Sequence, residues 1–287
     1  GNWPNSITHL IMQLIQASGD YDVGEGPVTG SDIKVPPYYP DTPTVRSDMA
    51  RMYNNVYQMD KQVGKIIDKL RTQGLLENTI IVWTSDHGDG LPRAKRSLFD
   101  SGIKVPMIIY WPEQYRPDHL RPGQIDKRMI SFVDIAPTLL NLAKVKTPDY
   151  MVGEDFLQPQ WSRDTIFASQ DRIDNINDRQ SAVRNKQYKY IRSWYTNQPL
   201  GYSSYFRDNQ PMMRELRALH DQGKLSPPQD YWFRPLGPEQ LYDLINDPFE
   251  LSNLAASPEH TKALSTMRKL LDDWLAQTED WSEQSED

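Results

Sequence analysis

Apolar residues recur at intervals of three and four over residues 43–74, the spacing that places side chains on one face of a helix. Thr42 and Pro43 supply a helix N-cap and a proline at the first helical position. Gly74 is typical of the position just after a helix. The pattern predicts one long amphipathic helix, whose apolar positions are Met49, Met52, Tyr53, Val56, Tyr57, Val63, Ile66, Ile67 and Leu70.

Two short apolar runs follow, at residues 79–84 and 105–111. Both are apolar almost throughout and too short to be buried helices, so we expect neighbouring buried strands of one sheet. Residues 135–143 read as a further helix, capped by Asp134 and with Pro137 close to its first turn.

The pattern changes beyond about residue 160. Residues 165–169 predict a strand, residues 182–184 and 188–194 a hairpin around Asn185–Lys186–Gln187, and residues 240–244 a last strand. Residues 195–238 read as a polar loop and residues 258–275 as an amphipathic helix. The order predicts an α/β unit over residues 1–160 and an α+β subdomain with an antiparallel sheet over residues 161–287.

At the two ends of the chain we expect less regular structure. Residues 1–40 read mostly as loop with a short helix at residues 8–16, and the acidic C-terminal tail is expected to be disordered. The N-terminus has no basic segment typical of a signal peptide, although a secretion signal could be lost with upstream sequence.

Composition narrows the function classes. The 287 residues include 32 Lys and Arg against 39 Asp and Glu, and the net charge of -7 disfavours a nucleic-acid binder. No apolar stretch reaches the ~18 residues that a transmembrane helix needs. The absence of cysteine excludes disulfides, thiolate metal sites and cysteine nucleophiles within this sequence.

The densest cluster of charged residues comes directly after the first predicted strand: Asp86, His87, Asp89, Arg93, Lys95 and Arg96. In α/β proteins, sites are built where strands end. Asp86 and His87 can offer a carboxylate oxygen and an imidazole nitrogen to one divalent cation, beside the flexible Gly88. Lys95, with Arg93 nearby, can hold an oxyanion. The alternatives are an ordinary turn and a solvated basic loop.

Four segments in this order resemble the C-terminal half of formylglycine-dependent sulfatases, members of the alkaline-phosphatase-like superfamily: TSDHG, PRAKRSLFDSGIKVPMIIYWP, SFVDIAPTLLNLA and QLYDLINDPFELSNLA. The resemblance covers roughly residues 35–256, and its order and spacing are more specific than any one segment. It implies part of an alkaline-phosphatase-like α/β sandwich, a sheet flanked by helices, followed by a smaller α+β subdomain.

The resemblance also implies roles for particular residues. Asp86 matches a metal-ligand aspartate, and His87 stands where the family has Asn or His as a further ligand. Lys95 matches the lysine that touches the substrate sulfate, with Arg93 as a second substrate-binding residue. An oxygen-rich site fits calcium. Together the ion and Lys95, which we expect within about 10 Å of Asp86 across a short loop, would neutralise the sulfate and the leaving oxygen.

Other family features have no counterpart in the sequence. The family nucleophile is a formylglycine made from Cys or Ser in a Cys/Ser-x-Pro/Ala-x-Arg motif. Only Ser47 and Ser203 have Arg four residues later, and Met49 and Tyr205 occupy the Pro/Ala position. The early paired aspartates, the lysine near the nucleophile and the mid-chain histidine are also unmatched. We therefore expect a chain that lacks the nucleophile half, holds an incomplete calcium site and is inactive alone, with the N-terminal half as a possible partner.

The resemblance implies a periplasmic or extracellular sulfuric ester hydrolase that acts on a sulfated small molecule or glycan. A phosphodiesterase or phosphonate hydrolase of the same superfamily is the first alternative, and a non-catalytic module that retains the fold is the second. Five aromatic residues of the long loop could stack on a sugar or could pack the loop on the core: Tyr202, Tyr205, Phe206, Tyr231 and Trp232.

Overall fold

The computed structural model of the protein describes residues 24–173 and 176–278. The helix expected at residues 8–16 and residues 279–287 of the acidic tail lie outside this description. The α-helices are α1 (Pro43–Thr72), α2 (Asp100–Ile103), α3 (Ile135–Leu142), α4 (Tyr205–Asp208), α5 (Pro211–Asp221), α6 (Pro227–Asp230) and α7 (Thr261–Gln277). The strands are β1 (Ile81–Thr84), β2 (Met107–Tyr110), β3 (Ile166–Ile173), β4 (Ile176–Arg184), β5 (Tyr188–Ser193) and β6 (Glu239–Asp243). Short 3₁₀ turns are Gly30–Asp32, Leu76–Asn78, Glu113–Tyr115, Phe132–Asp134, Tyr231–Phe233 and Pro258–His260.

Helix α1 confirms the prediction of a long helix over residues 43–74. The Thr42 hydroxyl accepts a hydrogen bond from the Val45 amide at 3.2 Å, and Pro43 is the first helical residue. Gly74, two residues beyond the end, has a positive φ of 68°, a conformation that glycine adopts without strain. The N-terminal part of α1 is buried around Val45 and Met49, whereas apolar residues such as Ile66 are exposed.

Strands β1 and β2 pair with each other in an antiparallel sheet, which confirms that the two apolar runs are neighbours. The expectation that both are buried throughout is wrong. Met107 and Ile109 of β2 face a small apolar cavity that Leu139 of α3 also lines. Ile108 is 62% exposed, because side chains alternate along a strand and no described element covers this face.

Strands β3 to β6 form a second antiparallel sheet in sequential order. The β4–β5 hairpin lies where the sequence predicts it, and the Asn185 carboxamide oxygen accepts hydrogen bonds from the amides of Gln187 and Tyr188. Helix α7 covers one face of this sheet. That interface buries Val183, Tyr190, Leu241, Leu264, Met267 and Leu271.

The other face of the second sheet joins the largest core cluster, which contains residues from both sides of position 160. Met49 of α1 and Ile191 of β5 lie in it together with Met212 and Met213 of α5. Helix α5 was not predicted, since residues 195–238 read as a polar loop. Its N-terminus is stabilised by a residue that is distant in the sequence, since the Asp48 carboxylate accepts a hydrogen bond from the Met212 amide at 2.7 Å. The division of the chain at residue 160 stays a prediction.

Asp134 lies at the start of α3 but does not cap it as expected. Its carboxylate is completely buried, accepts hydrogen bonds from the amides of Ser131 and Glu154, and forms an ion pair with Arg163. It therefore joins the preceding turn and the following loop. No helix in the described part of the chain is both long and apolar enough to cross a membrane.

Candidate functional site

Asp86 and His87 lie side by side just beyond the end of β1. The Asp86 carboxylate is 83% exposed, and its Oδ2 lies 3.4 Å from Nε2 of His87. Nδ1 of His87 lies 2.7 Å from the Gly88 carbonyl oxygen. Because a carbonyl only accepts, this contact assigns the proton of a neutral ring to Nδ1 and leaves the Nε2 lone pair free to bind a cation. The side chains of the two predicted ligands lie next to each other, with the Asp86 carboxylate beside the available nitrogen of His87.

Gly88 is required by close packing between two loops. Its amide donates to the Gly102 carbonyl at 2.8 Å, and a Cβ at this position would lie 1.8 Å from the Ser101 carbonyl oxygen. The sequence suggested that Gly88 allows a turn beside an ion. In the structure it allows the loop after β1 to contact the end of α2.

The described residues do not form a calcium site by themselves. Among residues 24–173 and 176–278, no group of three or more His, Cys, Asp or Glu side chains is placed to hold a metal ion. Calcium takes about 6–8 oxygen ligands, whereas Asp86 and His87 offer one carboxylate and one nitrogen. The pair can only be part of a coordination shell.

Lys95 is half-buried in the same loop. Its amide donates to the Asp89 carbonyl at 2.9 Å. Two nearby residues of the loop, Arg93 and Arg96, have positive φ angles of 65° and 70°. Within the described part of the chain, the Lys95 ammonium makes no ion pair or hydrogen bond, so its three donors are available to an anion. The expected distance between this ammonium and Asp86 stays a prediction.

Asp89 is the other acidic group of the loop. Burial raises the pKa of its carboxyl, and a hydrogen bond from the Leu91 amide at 2.9 Å opposes this shift. The side chain thus supports the local turn.

Arg93 has a structural role in place of the substrate-binding role expected from the sequence. Its side chain is 3% exposed, and the guanidinium donates to the carbonyl oxygens of Phe249 and Glu250 at 2.9 and 2.8 Å. The planar cation also packs on the rings of Tyr38 and Phe99, 4.4 and 3.9 Å from their centroids. These contacts hold the guanidinium in the core, away from solvent, through two hydrogen bonds from Nη2 and through the two rings.

Sequence reasoning missed a buried ionic cluster beneath the loop. Lys189 of β5 is completely buried, and its Nζ lies 2.6 Å from Asp100, 2.7 Å from Glu250 and 3.1 Å from the Leu98 carbonyl. Arg184 of β4 also pairs with Asp100, at 3.1 Å. Burial alone would raise the pKa of Asp100, but Lys189 and Arg184 together lower it to about 2. The cluster joins the site loop to the second sheet.

The aromatic residues of the long loop favour packing over sugar stacking. Trp232 is buried against Phe233, and the Tyr231 hydroxyl is hydrogen bonded to the Tyr242 hydroxyl at 2.8 Å. The half-buried Tyr202 lies against the Arg207 guanidinium. The side chains of Tyr205 and Phe206 lie outside the described residues.

Comparison with known proteins places the chain in a family. The family described as Sulfatase matches residues 22–145, and the family described as N-sulphoglucosamine sulphohydrolase, C-terminal, matches residues 93–229. The chain is 45% identical over 244 residues to an ulvan-active sulfatase of Formosa agariphila, a match that covers 84% of this chain and 40% of the relative. It is 27% identical over 267 residues to the N-sulphoglucosamine sulphohydrolase of Homo sapiens, covering 87% of this chain and 52% of that protein.

A solved structure shows the same fold. The structure of a protein in complex with its substrate D-glucosamine-2-N,6-O-disulfate aligns with a TM-score of 0.59 at 20% identity, over 85% of this chain and 42% of the other. The chain spans about half or less of the length of the relatives it matches. The chain belongs to the sulfatase family and corresponds to the C-terminal half of the family fold.

Proposed function

We propose that the complete protein is a sulfuric ester hydrolase that acts on a sulfated carbohydrate. The observation that carries this proposal is the 45% identity, over 84% of the chain, to an ulvan-active sulfatase. A second relative is named for N-sulphated glucosamine. We further propose a periplasmic or extracellular location, which rests on family membership alone.

In this proposal Lys95 contacts the sulfate group. Its ammonium is free of protein partners among the described residues and is half-buried, so that water screens its charge less than on an open surface. Three N–H donors and a full positive charge suit the oxygens of a sulfate ester. As the ester bond breaks, the ammonium would offset charge that develops on these oxygens. Arg93 is not part of the proposed site.

Asp86 and His87 are proposed as two ligands of a divalent cation, calcium in the family. The exposed carboxylate and the available Nε2 of the histidine support this role. The remaining ligands and the formylglycine nucleophile would come from residues outside the described ones. When bound, such an ion supplies positive charge beside the sulfate.

The activity test uses the complete protein and measures sulfate release from ulvan and from N- and O-sulfated glucosamine, with a phosphonate monoester as the competing substrate. Lys95→Ala should lower kcat/KM by about 10²–10³-fold, the effect of removing one donor to developing charge. Lys104→Ala is the matched control, because Lys104 is exposed nearby at the end of α2 and should leave activity unchanged. Preference for the phosphonate, or full activity of Lys95→Ala, would refute the proposal.

The metal assignment is tested separately by calcium titration calorimetry on the same protein. Asp86→Asn should weaken calcium binding by at least about tenfold, because a neutral amide replaces a charged oxygen ligand. Asp118→Asn, at an exposed loop position, is the control and should bind calcium like the wild type. Equal affinity in both variants would exclude Asp86 as a ligand.

A further inference from the structure

The loop that carries Lys95 is fixed by groups that are distant in the sequence. Arg93, near its start, donates to the carbonyl oxygens of Phe249 and Glu250. At the first residue of α2, the Asp100 amide donates to Oε2 of Glu250 at 2.6 Å. One glutamate therefore holds the loop on both sides of Lys95, once through its backbone and once through its side chain.

Lys189 completes this anchor from the second sheet. Its ammonium bridges the carboxylates of Asp100 and Glu250 and also donates to the Leu98 carbonyl. Lys189 is 0% and Glu250 is 1% exposed. Apolar residues of similar volume often stabilise a core as well as a buried ion pair does. What this arrangement adds is one fixed geometry. Both oxygens of Asp100 accept hydrogen bonds from Arg184, and Oε2 of Glu250 accepts one from the Asp100 amide, whereas Oε1 of Glu250 is held by the charge of Lys189 at 2.7 Å.

The backbone conformation around Lys95 also indicates that surrounding contacts hold the loop. Of the four residues other than glycine with positive φ in the described part of the chain, three belong to this assembly: Arg93, Arg96 and Glu250. Such conformations persist where surrounding contacts over-determine them, and they gather at functional sites. The loop is held in a shape that it would not adopt alone.

We propose that Glu250 and Lys189 are positioning residues, which fix the loop over residues 93–103 and thereby direct the Lys95 ammonium toward the sulfate. The C-terminal subdomain then sets the geometry of a group on the α/β unit. The step from the loop to the sulfate rests on the proposed function, whereas the anchoring of the loop does not.

Amide hydrogen exchange of the 287-residue chain tests the anchor directly. The reporters are the hydrogen-bonded amides of Lys95, Gly102 and Lys104. Glu250→Ala removes both an acceptor and a charge, and it should speed exchange at these amides by at least about tenfold, as expected for the loss of a hydrogen bond to a charged group. Glu250→Gln retains an acceptor for the Asp100 amide and should have a smaller effect.

Glu239→Gln is the matched control, because Glu239 of β6 forms its ion pair with Arg268 of α7 and does not contact the loop. It should leave the three reporters unchanged. Wild-type exchange at the reporters in Glu250→Ala would overturn the anchor. So would an equal acceleration at the amides of α7, since that result indicates general loss of stability.

Kinetics of the complete protein test the link to the sulfate. Glu250→Ala and Lys189→Met should each lower kcat/KM for the sulfate ester by about tenfold or more, with Glu250→Gln intermediate. Faster loop exchange with unchanged kcat/KM would refute the positioning role. Failure of the wild-type protein to hydrolyse any sulfate ester would refute the proposed function instead, and the exchange experiment would still decide whether Glu250 anchors the loop.

Discussion

Asp100 links the stability of this fold to pH. Its carboxylate is only 14% exposed and pairs with Lys189 and Arg184, which together outweigh burial and lower its pKa from 3.8 to about 2. A carboxyl with a lowered pKa in the folded state stabilises that state above its unfolded pKa, and the contribution is lost as the pH falls through the folded pKa. The stabilising contribution of this side chain is therefore lost between about pH 4 and about pH 2, the range set by its unfolded and folded pKa values.

The size of the effect follows from the same values. The pKa of this carboxyl is 3.8 when unfolded and about 2 when folded, and the difference corresponds to about 2 kcal/mol of folding free energy at neutral pH. At pH 3 this contribution should be smaller by about 1 kcal/mol, because the unfolded state is then mostly protonated. Solvent screening weakens this contribution little, since the group is largely buried.

Urea denaturation of the wild type and of Asp100→Asn at pH 6 and pH 3 measures this contribution. The variant cannot titrate at this position, so the difference in unfolding free energy between the two proteins should shrink by about 1 kcal/mol between the two pH values. Asp273→Asn, which removes an exposed ion pair with Lys269, is the control, and it should lower the unfolding free energy by less than about 1 kcal/mol at either pH. A difference between wild type and Asp100→Asn that is the same at both pH values would refute the reasoning.

Three further predictions follow from the structure. Gly88→Ala should lower the unfolding free energy by about 2 kcal/mol or more, because the new Cβ would collide with the Ser101 carbonyl, whereas Gly90→Ala meets no atom within 4 Å and should be nearly neutral in the same urea titration. Thr42→Ala should cost about 1 kcal/mol through loss of the cap on the Val45 amide, and Thr42→Ser should retain most of it. The 287-residue chain alone, given calcium and an aryl sulfate, should release no phenol above background, and robust turnover would show that these residues are sufficient for catalysis.

Local patterns were enough to predict several elements. Helix α1 follows from a cap, a proline and apolar spacing that all act within a few residues, and the β4–β5 hairpin follows from a turn between two strand-forming runs. The position of Asp86 and His87 beyond β1 follows from the order of strand and loop. In each case the deciding interactions lie between residues close in the sequence.

Only the tertiary structure decided which charged groups are free and which are structural. Arg93 and Lys95 look alike in the sequence, yet one is held by the Glu250 carbonyl across 157 residues and the other has no protein partner among those described. Lys189 lies in the strand predicted over residues 188–194, but nothing in the sequence pairs it with Asp100 and Glu250, which the fold brings to its ammonium. Periodicity predicts which face a side chain lies on, but it carries no information about the partner that a distant segment provides, and that partner determines whether a buried charge is stabilised.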